Sequence, residues 1–173
     1  MMQTKERSQA LSLELPNPSH EQEYIRVMDQ WEALGEKIQP PSMRRYSEKL
    51  GANISFQRFL EWCEDDRTTA SMLANNVPCT LYFLLNEDKE ILGGISINHA
   101  NTPRGHIHAG IAPWHRGKGY GTEICESLLS ASQRCGVHVA YLQVIRDNIR
   151  AVNLYTKLGY KVIYSYWYRV KKG

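Results

Sequence analysis

The segment Ile111-Ala112-Pro113-Trp114-His115-Arg116-Gly117-Lys118-Gly119-Tyr120-Gly121 decides how the chain folds. A short strand, His106 to Ala112, is stopped by Pro113, and a turn with three glycines and two cations follows directly. A helix must begin there, with Ile124, Cys125, Leu128, Leu129 and Ser132 as its core stripe and Gly136 as its stop. Such a strand-to-helix turn is built for an anion. Glycines let the backbone approach a phosphate, successive N–H groups aim inward, and the helix N-terminus adds partial positive charge. Arg116 and Lys118 would add direct charge. The same composition also suits a tight surface turn with solvated cations. Neither GxxxxGK[ST] nor GxGxxG is present, so the turn is neither of those phosphate loops.

Upstream, Ser19 and Gln22 have capping-box spacing, and Ile25, Met28, Trp31 and Leu34 recur at helical intervals until Gly35 offers a left-handed stop. Pro40 and Pro41 exclude regular structure, and Ser55 can cap a second helix whose apolar residues are Phe56, Phe59, Leu60 and Cys63. Two helices thus precede any sheet. Cys79 to Leu85 reads as a strand, Asn86 to Lys89 as a polar turn, and Glu90 to Asn98 as a partner strand in which Gly93 and Gly94 mark a bulge. Downstream, Val137 to Ile145 reads as a strand, Asn148 to Leu158 as a helix stopped by Gly159, and Tyr160 to Val170 as an aromatic strand. This order predicts an α/β (α+β) fold with a mixed, mostly antiparallel, twisted central sheet flanked by helices. Residues 1–18 are expected to be flexible and 19–173 to form one domain.

The bulk properties agree with a single globular domain. The chain has 173 residues, 42% hydrophobic and 23% charged, which leaves collagen-like, low-complexity and wholly disordered readings without support. Cys63, Cys79, Cys125 and Cys135 lie 16, 46 and 10 residues apart, with no CxxC and no histidine at zinc-finger spacing. They read as reduced thiols of a cytoplasmic protein. The longest apolar run, Leu81 to Leu85, is too short to cross a bilayer, so no membrane partner is expected. Net charge is +3 but uneven: residues 1–98 hold 10 Lys/Arg against 15 Asp/Glu, and residues 99–173 hold 11 against 3. The basic part suits a polyanion, either a phosphorylated cofactor or nucleic acid.

Taken with Asn148-Ile149-Arg150-Ala151-Val152-Asn153-Leu154-Tyr155-Thr156-Lys157-Leu158-Gly159-Tyr160, the opening segment closely resembles the GNAT superfamily of acyl-CoA-dependent N-acyltransferases over residues 79–170. Residues Gly105 to Ile111 also look like a branch of predicted bacterial acetyltransferases. The resemblance implies an acetyltransferase moving an acetyl group from acetyl-CoA to a primary amine, by direct attack in a ternary complex. Carried over by position, Arg116, Gly117, Lys118, Gly119, Tyr120, Gly121 and Thr122 would hold the CoA pyrophosphate. Ile111 and Ala112 would offer main-chain groups to the pantetheine arm, and Asn148 a hydrogen bond near it. Tyr155 would lie beside the thioester sulfur as the catalytic acid. Without the motif, an amphipathic-helix tyrosine is ordinary core.

The reaction needs donors for the thioester oxygen, a proton for the departing thiolate, and a base for the ammonium. His106 and His108 project to one face of a strand, and the ordinary histidine pKa of about 6.5 suits proton removal near neutrality, so His106 is the candidate base, against a structural or solvated role for the pair. Counted back from the phosphate motif, the pair sits one residue out of register with the HxH of some arylalkylamine acetyltransferases. No third ligand falls at metal spacing, so no metal is expected. His115 reads as a solvated loop residue. Tyr164, Tyr166, Tyr168 and Trp167, with Trp31, Phe56, Phe59 and Trp62, read as core or as an acceptor wall; Asn98, His99 and Asn101 could also touch the acceptor. Neither motif contains cysteine, which disfavours an acyl-cysteine route. The alternatives are a non-catalytic acyl-CoA-binding module and an RNA-associated acetyltransferase. Nucleic acid is the less favoured partner because the resemblance already accounts for Arg116 and Lys118. The acceptor is open between small-molecule and protein amines, and many relatives dimerise.

Overall fold

The structure, a computed structural model, describes residues 10–44, 55–68, 78–99, 104–137, 139–142, 144 and 147–162, with the side chains of 44 and 104–106 left aside. It divides into two compact units, residues 1–143 and 144–173. In the first, five strands form one sheet in sequence order: β1 (Ser12–Glu14), β2 (Cys79–Leu85), β3 (Ile91–Asn98), β4 (Arg104–Ile111) and β5 (Val139–Tyr141). The pairs from β1 to β4 are antiparallel and β4 pairs with β5 in parallel, as the order of elements predicts.

Both faces of β2 and β3 are covered, which their nearly uninterrupted apolar sequence requires. On one face lie α1 (Glu21–Leu34) and α2 (Phe56–Arg67), whose Tyr24, Val27, Trp31, Phe56 and Phe59 share a core with Leu81, Phe83 and Leu85. Tyr24 stacks on Phe59 at 4.5 Å between ring centroids. Phe83 is fully buried, and burying such a side chain contributes about 1.5–3 kcal/mol. Alternation turns Tyr82 to the other face, where its hydroxyl lies 3.8 Å from the Cys135 sulfur at the end of α3 (Tyr120–Arg134). The α3 stripe, Ile124, Cys125, Leu128, Ala131 and Ser132, packs on β4 and β3.

Several local expectations need correction. A strand precedes both helices: β1 lies within the stretch expected to be flexible, and Ser12, Leu13 and Glu14 pair with Leu85, Leu84 and Phe83. Ser19 does not cap α1: Asn17 caps a 3-10 turn, Pro18–His20, that leads into the helix, its Oδ1 accepting from the Ser19 amide at 3.0 Å while His20 Nδ1 accepts from the Asn17 amide. Trp31 is buried as predicted, but the rest of the α1 stripe, Tyr24, Val27 and Gln30, lies one position before the predicted residues, leaving Ile25 and Leu34 about half exposed. Tyr24 wins because its ring joins the aromatic core while its hydroxyl donates to the Met43 carbonyl at 2.7 Å. The bulge in β3 is at Leu92, which no residue of β2 opposes, and Gly94 is glycine because a Cβ there would meet Met43 and Pro40. A Cβ on Gly110 would land on the Gln39 carbonyl, so the segment after α1 crosses directly over the sheet.

In the second unit, α4 (Ile149–Lys157) is capped by Asn148 and ends at Gly159, whose φ of 85° is left-handed. The amide of Tyr160 closes that end by donating to the Tyr155 carbonyl at 2.9 Å. Of the predicted final strand, Tyr160 to Val170, residues 160–162 are not in a strand and 163–170 lie outside those described. Among the described residues no helix is long and apolar enough to cross a membrane.

Candidate functional site

The first unit brings the predicted loop to the end of β4 and leaves part of that strand unpaired. Among the described residues, β5 pairs only with Arg104, Gly105 and His106. On the other side, β4 pairs with β3 up to Ile111, opposite Gly93, and the Ala112 amide donates to the Leu92 carbonyl at 2.8 Å. Antiparallel residues alternate between bonding one neighbour and facing the other. The ladder with β3 therefore takes the main chain of His108, Gly110 and Ala112, while that of Ile107, Ala109 and Ile111 faces the side that β5 leaves open. The Ala112 amide is spent on β3. Ladder parity, which gives the main chain of Ala109 and Ile107 the same outlook as that of Ile111, is not written in side chains.

Beyond β4 the chain makes a 3-10 turn, Pro113–His115, and then the glycine loop. Gly117 and Gly119 have φ of 76° and 95°, a region that glycine enters without strain. A Cβ on either would meet nothing within 4 Å, so their role is backbone shape rather than close packing. Gly119 is the N-cap of α3, and no side chain caps that end. The first amides of α3, at Tyr120, Gly121 and Thr122, therefore present an uncapped positive end. Lys118 is exposed beside them. Arg116 is engaged elsewhere: Nη1 donates to Glu36 Oε2 at 2.6 Å and Nε to the Ile111 carbonyl at 3.2 Å.

His115 is buried at 6% exposure rather than solvated. The 3-10 turn folds it inward, its amide donating to the Ala112 carbonyl at 2.9 Å, and its Nε2 has no partner among the described residues. Next to it, the Trp114 amide donates to Gln30 Oε1 at 3.2 Å and the Arg26 guanidinium lies 5.9 Å from the Trp114 ring, so α1 supports the turn from below. Burial, reinforced by Lys118, holds the His115 pKa below the ordinary histidine value. Burial does the same to His20 and to His99, whose Nε2 lies 2.8 Å from Thr80 Oγ1. In all three the unfolded chain binds the proton more readily. Stability is therefore full above about pH 6.5 and falls as the pH drops below it, levelling off beneath the folded-state values. Urea unfolding at steps from about pH 7.5 to 5 should show that fall, smaller in His115→Asn; a flat profile would contradict it.

The remaining predicted residues are distributed as follows. His106 is opposite Asn98 on β3 and Tyr141 on β5, and its side chain lies outside what is described. His108 is half-buried opposite Ser96. Trp31, Phe56 and Phe59 are core, whereas Trp62 borders a cavity with Phe59, Asp66, Ser42 and Cys79. In the second unit, Asn148 Oδ1 accepts from the Ala151 amide at 3.2 Å, which commits its oxygen to capping α4. Tyr155 is half-buried, its ring edge-on to Tyr160 at 5.3 Å. Asn101 and the aromatic residues 164, 166, 167 and 168 lie outside the described residues.

Residues 31–160 match the model of the acetyltransferase (GNAT) family. Over 95 residues the chain is 30% identical to YobR of Bacillus subtilis (strain 168), an uncharacterized N-acetyltransferase. That stretch is 55% of this chain and only 38% of the relative's length. Among solved structures, the spermidine N-acetyltransferase of Vibrio cholerae, in complex with CoA and spermine, matches with a TM-score of 0.55 at 20% identity, covering 86% of this chain and 79% of that one. The yncA protein of Salmonella typhimurium, with its cofactor acetyl-CoA, matches with a TM-score of 0.58 at 17% identity, covering 90% and 82%. At these identities the likeness is one of fold.

Proposed function

The chain belongs to the GNAT family of acetyltransferases, and from that premise we propose that it transfers an acetyl group from acetyl-CoA to a primary amine by direct attack in a ternary complex. The observation that carries the proposal is the edge of β4 at Ile107, Ala109 and Ile111, with which no described residue of β5 pairs, and which leads into the N-terminus of α3, where no side chain caps the helix. An extended, amide-bearing arm ending in a pyrophosphate needs those two features in that order. The edge supplies directional main-chain hydrogen bonds, and the amides of Tyr120, Gly121 and Thr122 with Lys118 supply the anion site.

Acetyl-CoA when bound supplies a thioester whose carbonyl accepts the amine nitrogen and whose sulfur departs. The chain's part is to orient that carbonyl, remove a proton from the ammonium and return one to the thiolate. We assign the first proton transfer to His106 and the second to Tyr155. Support for Tyr155 comes from its position in the family motif, and for His106 from its place on β4. The acceptor class is supported by the spermine held in the Vibrio cholerae neighbour. Neither motif contains cysteine, which disfavours an acyl-cysteine route.

The testing experiment is a calorimetric titration with acetyl-CoA, with CoA and ATP for comparison, followed by thiol-release assays across amine acceptors. Binding of acetyl-CoA and CoA in preference to ATP, with amine-dependent thiol release, is the expected result. Binding without turnover on any amine would leave a non-catalytic acyl-CoA-binding module, and no binding by the folded protein would overturn the proposal.

A further inference from the structure

A guanidinium at the head of a phosphate loop would ordinarily be given to the phosphate. Arg116 is placed differently. Its Nε donates to the carbonyl of Ile111, the last residue of β4, and its Nη1 to the carboxylate of Glu36. Glu36 is itself anchored. It follows the left-handed Gly35 that ends α1, and its amide donates at 3.2 Å to the carbonyl of Trp31, which is fully buried. One side chain thus ties the end of β4 to the end of α1 across the first residue of the glycine loop.

The charges favour the same division. At 2.6 Å the carboxylate largely cancels the field of the guanidinium over the distance to a bound anion. Lys118, two residues on, is exposed, and among the described residues has no ion-pair partner. Both members of the Arg116–Glu36 pair are partly exposed, at 39% and 44%, where ion pairs add little to stability. Its consequence is therefore where the guanidinium points and how the loop leaves β4.

We propose that Arg116 is a positioning residue, clasped by Glu36 and the Ile111 carbonyl, that sets the glycine loop, while Lys118 and the α3 amides carry the anion. This rests on the acetyl-CoA reading above and names the residue that prepares that site. The clasp also occupies one lone pair of the Ile111 carbonyl, so the pantetheine arm takes the other lone pair or the groups of Ala109 and Ile107.

The test is acetyl-CoA affinity, by calorimetry, of wild type, Glu36→Ala, Glu36→Gln, Arg116→Ala, the double variant Glu36→Ala with Arg116→Ala, and Lys118→Gln at about 0.1 M and about 1 M salt, between which the screening length falls from about 10 Å to 3 Å. At high salt, Glu36→Ala and Arg116→Ala should each weaken binding by about fivefold, while Glu36→Gln, which still accepts the hydrogen bond without charge, stays near wild type. Lys118→Gln should weaken binding about tenfold at low salt and flatten the salt dependence, which the double variant, removing no net charge, leaves as in wild type. If Arg116 instead served the anion, Glu36→Ala would free it and tighten binding at both salts, and the double variant would flatten the salt dependence. Either result overturns the clasp while leaving the acetyl-CoA reading intact; no binding by folded wild type overturns both.

Discussion

Gly119→Trp should abolish acetyl-CoA binding in a chain that still folds. The residue sits at φ 95° as the N-cap of α3, so any side chain there costs backbone energy, on the order of 1–2 kcal/mol by the penalty for left-handed residues. A Cβ at this position meets no protein atom within 4 Å. The indole therefore displaces no core. It fills the approach to the amides of Tyr120, Gly121 and Thr122, where an anion must come close to the backbone. Calorimetry should show at least about a hundredfold loss, equivalent to about 2.7 kcal/mol. Gly119→Ala carries the same backbone strain with little bulk and separates the two causes: a milder loss of affinity at a similar melting temperature. Unaltered binding by the tryptophan variant would remove the loop from the site.

On the proposed mechanism, Tyr155→Phe should lower kcat and spare binding. Removing a general acid costs typically about 10²- to 10⁴-fold, and the loss should fall on kcat rather than on acetyl-CoA affinity. The ring itself remains. Its edge-on contact with Tyr160 at 5.3 Å needs no hydroxyl, and α4 keeps its Asn148 cap and its Gly159 end. Thermal unfolding should therefore move little, which distinguishes lost chemistry from lost structure. If the variant turns over at the wild-type rate, the thiolate receives its proton from another group.

What the sequence made legible was mainly local. Ser55, Gly35, Gly136 and Gly159 end or begin their helices as their chemistry requires, and Asn86 to Lys89 forms the hairpin turn, with Asn86 Oδ1 accepting from the Glu90 amide at 2.9 Å. The glycine loop was legible for the same reason, since left-handed φ values are a property of single residues. What escaped depends on partners distant in the chain. β1 is three residues long and recognisable only by its pairing with β2, some seventy residues away. The one-position offset of the α1 stripe reflects a hydroxyl meeting the Met43 carbonyl, and the burial of His115 reflects the side of the turn that α1 covers. Glu36 and Arg116 are separated by 80 residues and carry no shared motif.

The part of β4 with which no described residue of β5 pairs has a bearing on how this protein can vary. Recognition by main-chain amides and carbonyls is indifferent to residue identity, so Ile107, Ala109 and Ile111 can exchange side chains, within the limits of packing, without altering what the edge offers. Alanine scanning along this strand would pass over the donor site in silence. Proline would expose it, by deleting an N–H from the edge. The grip on the donor and the choice of acceptor are thereby written in different alphabets, backbone for one and side chains for the other, and the second can drift while the first stays fixed.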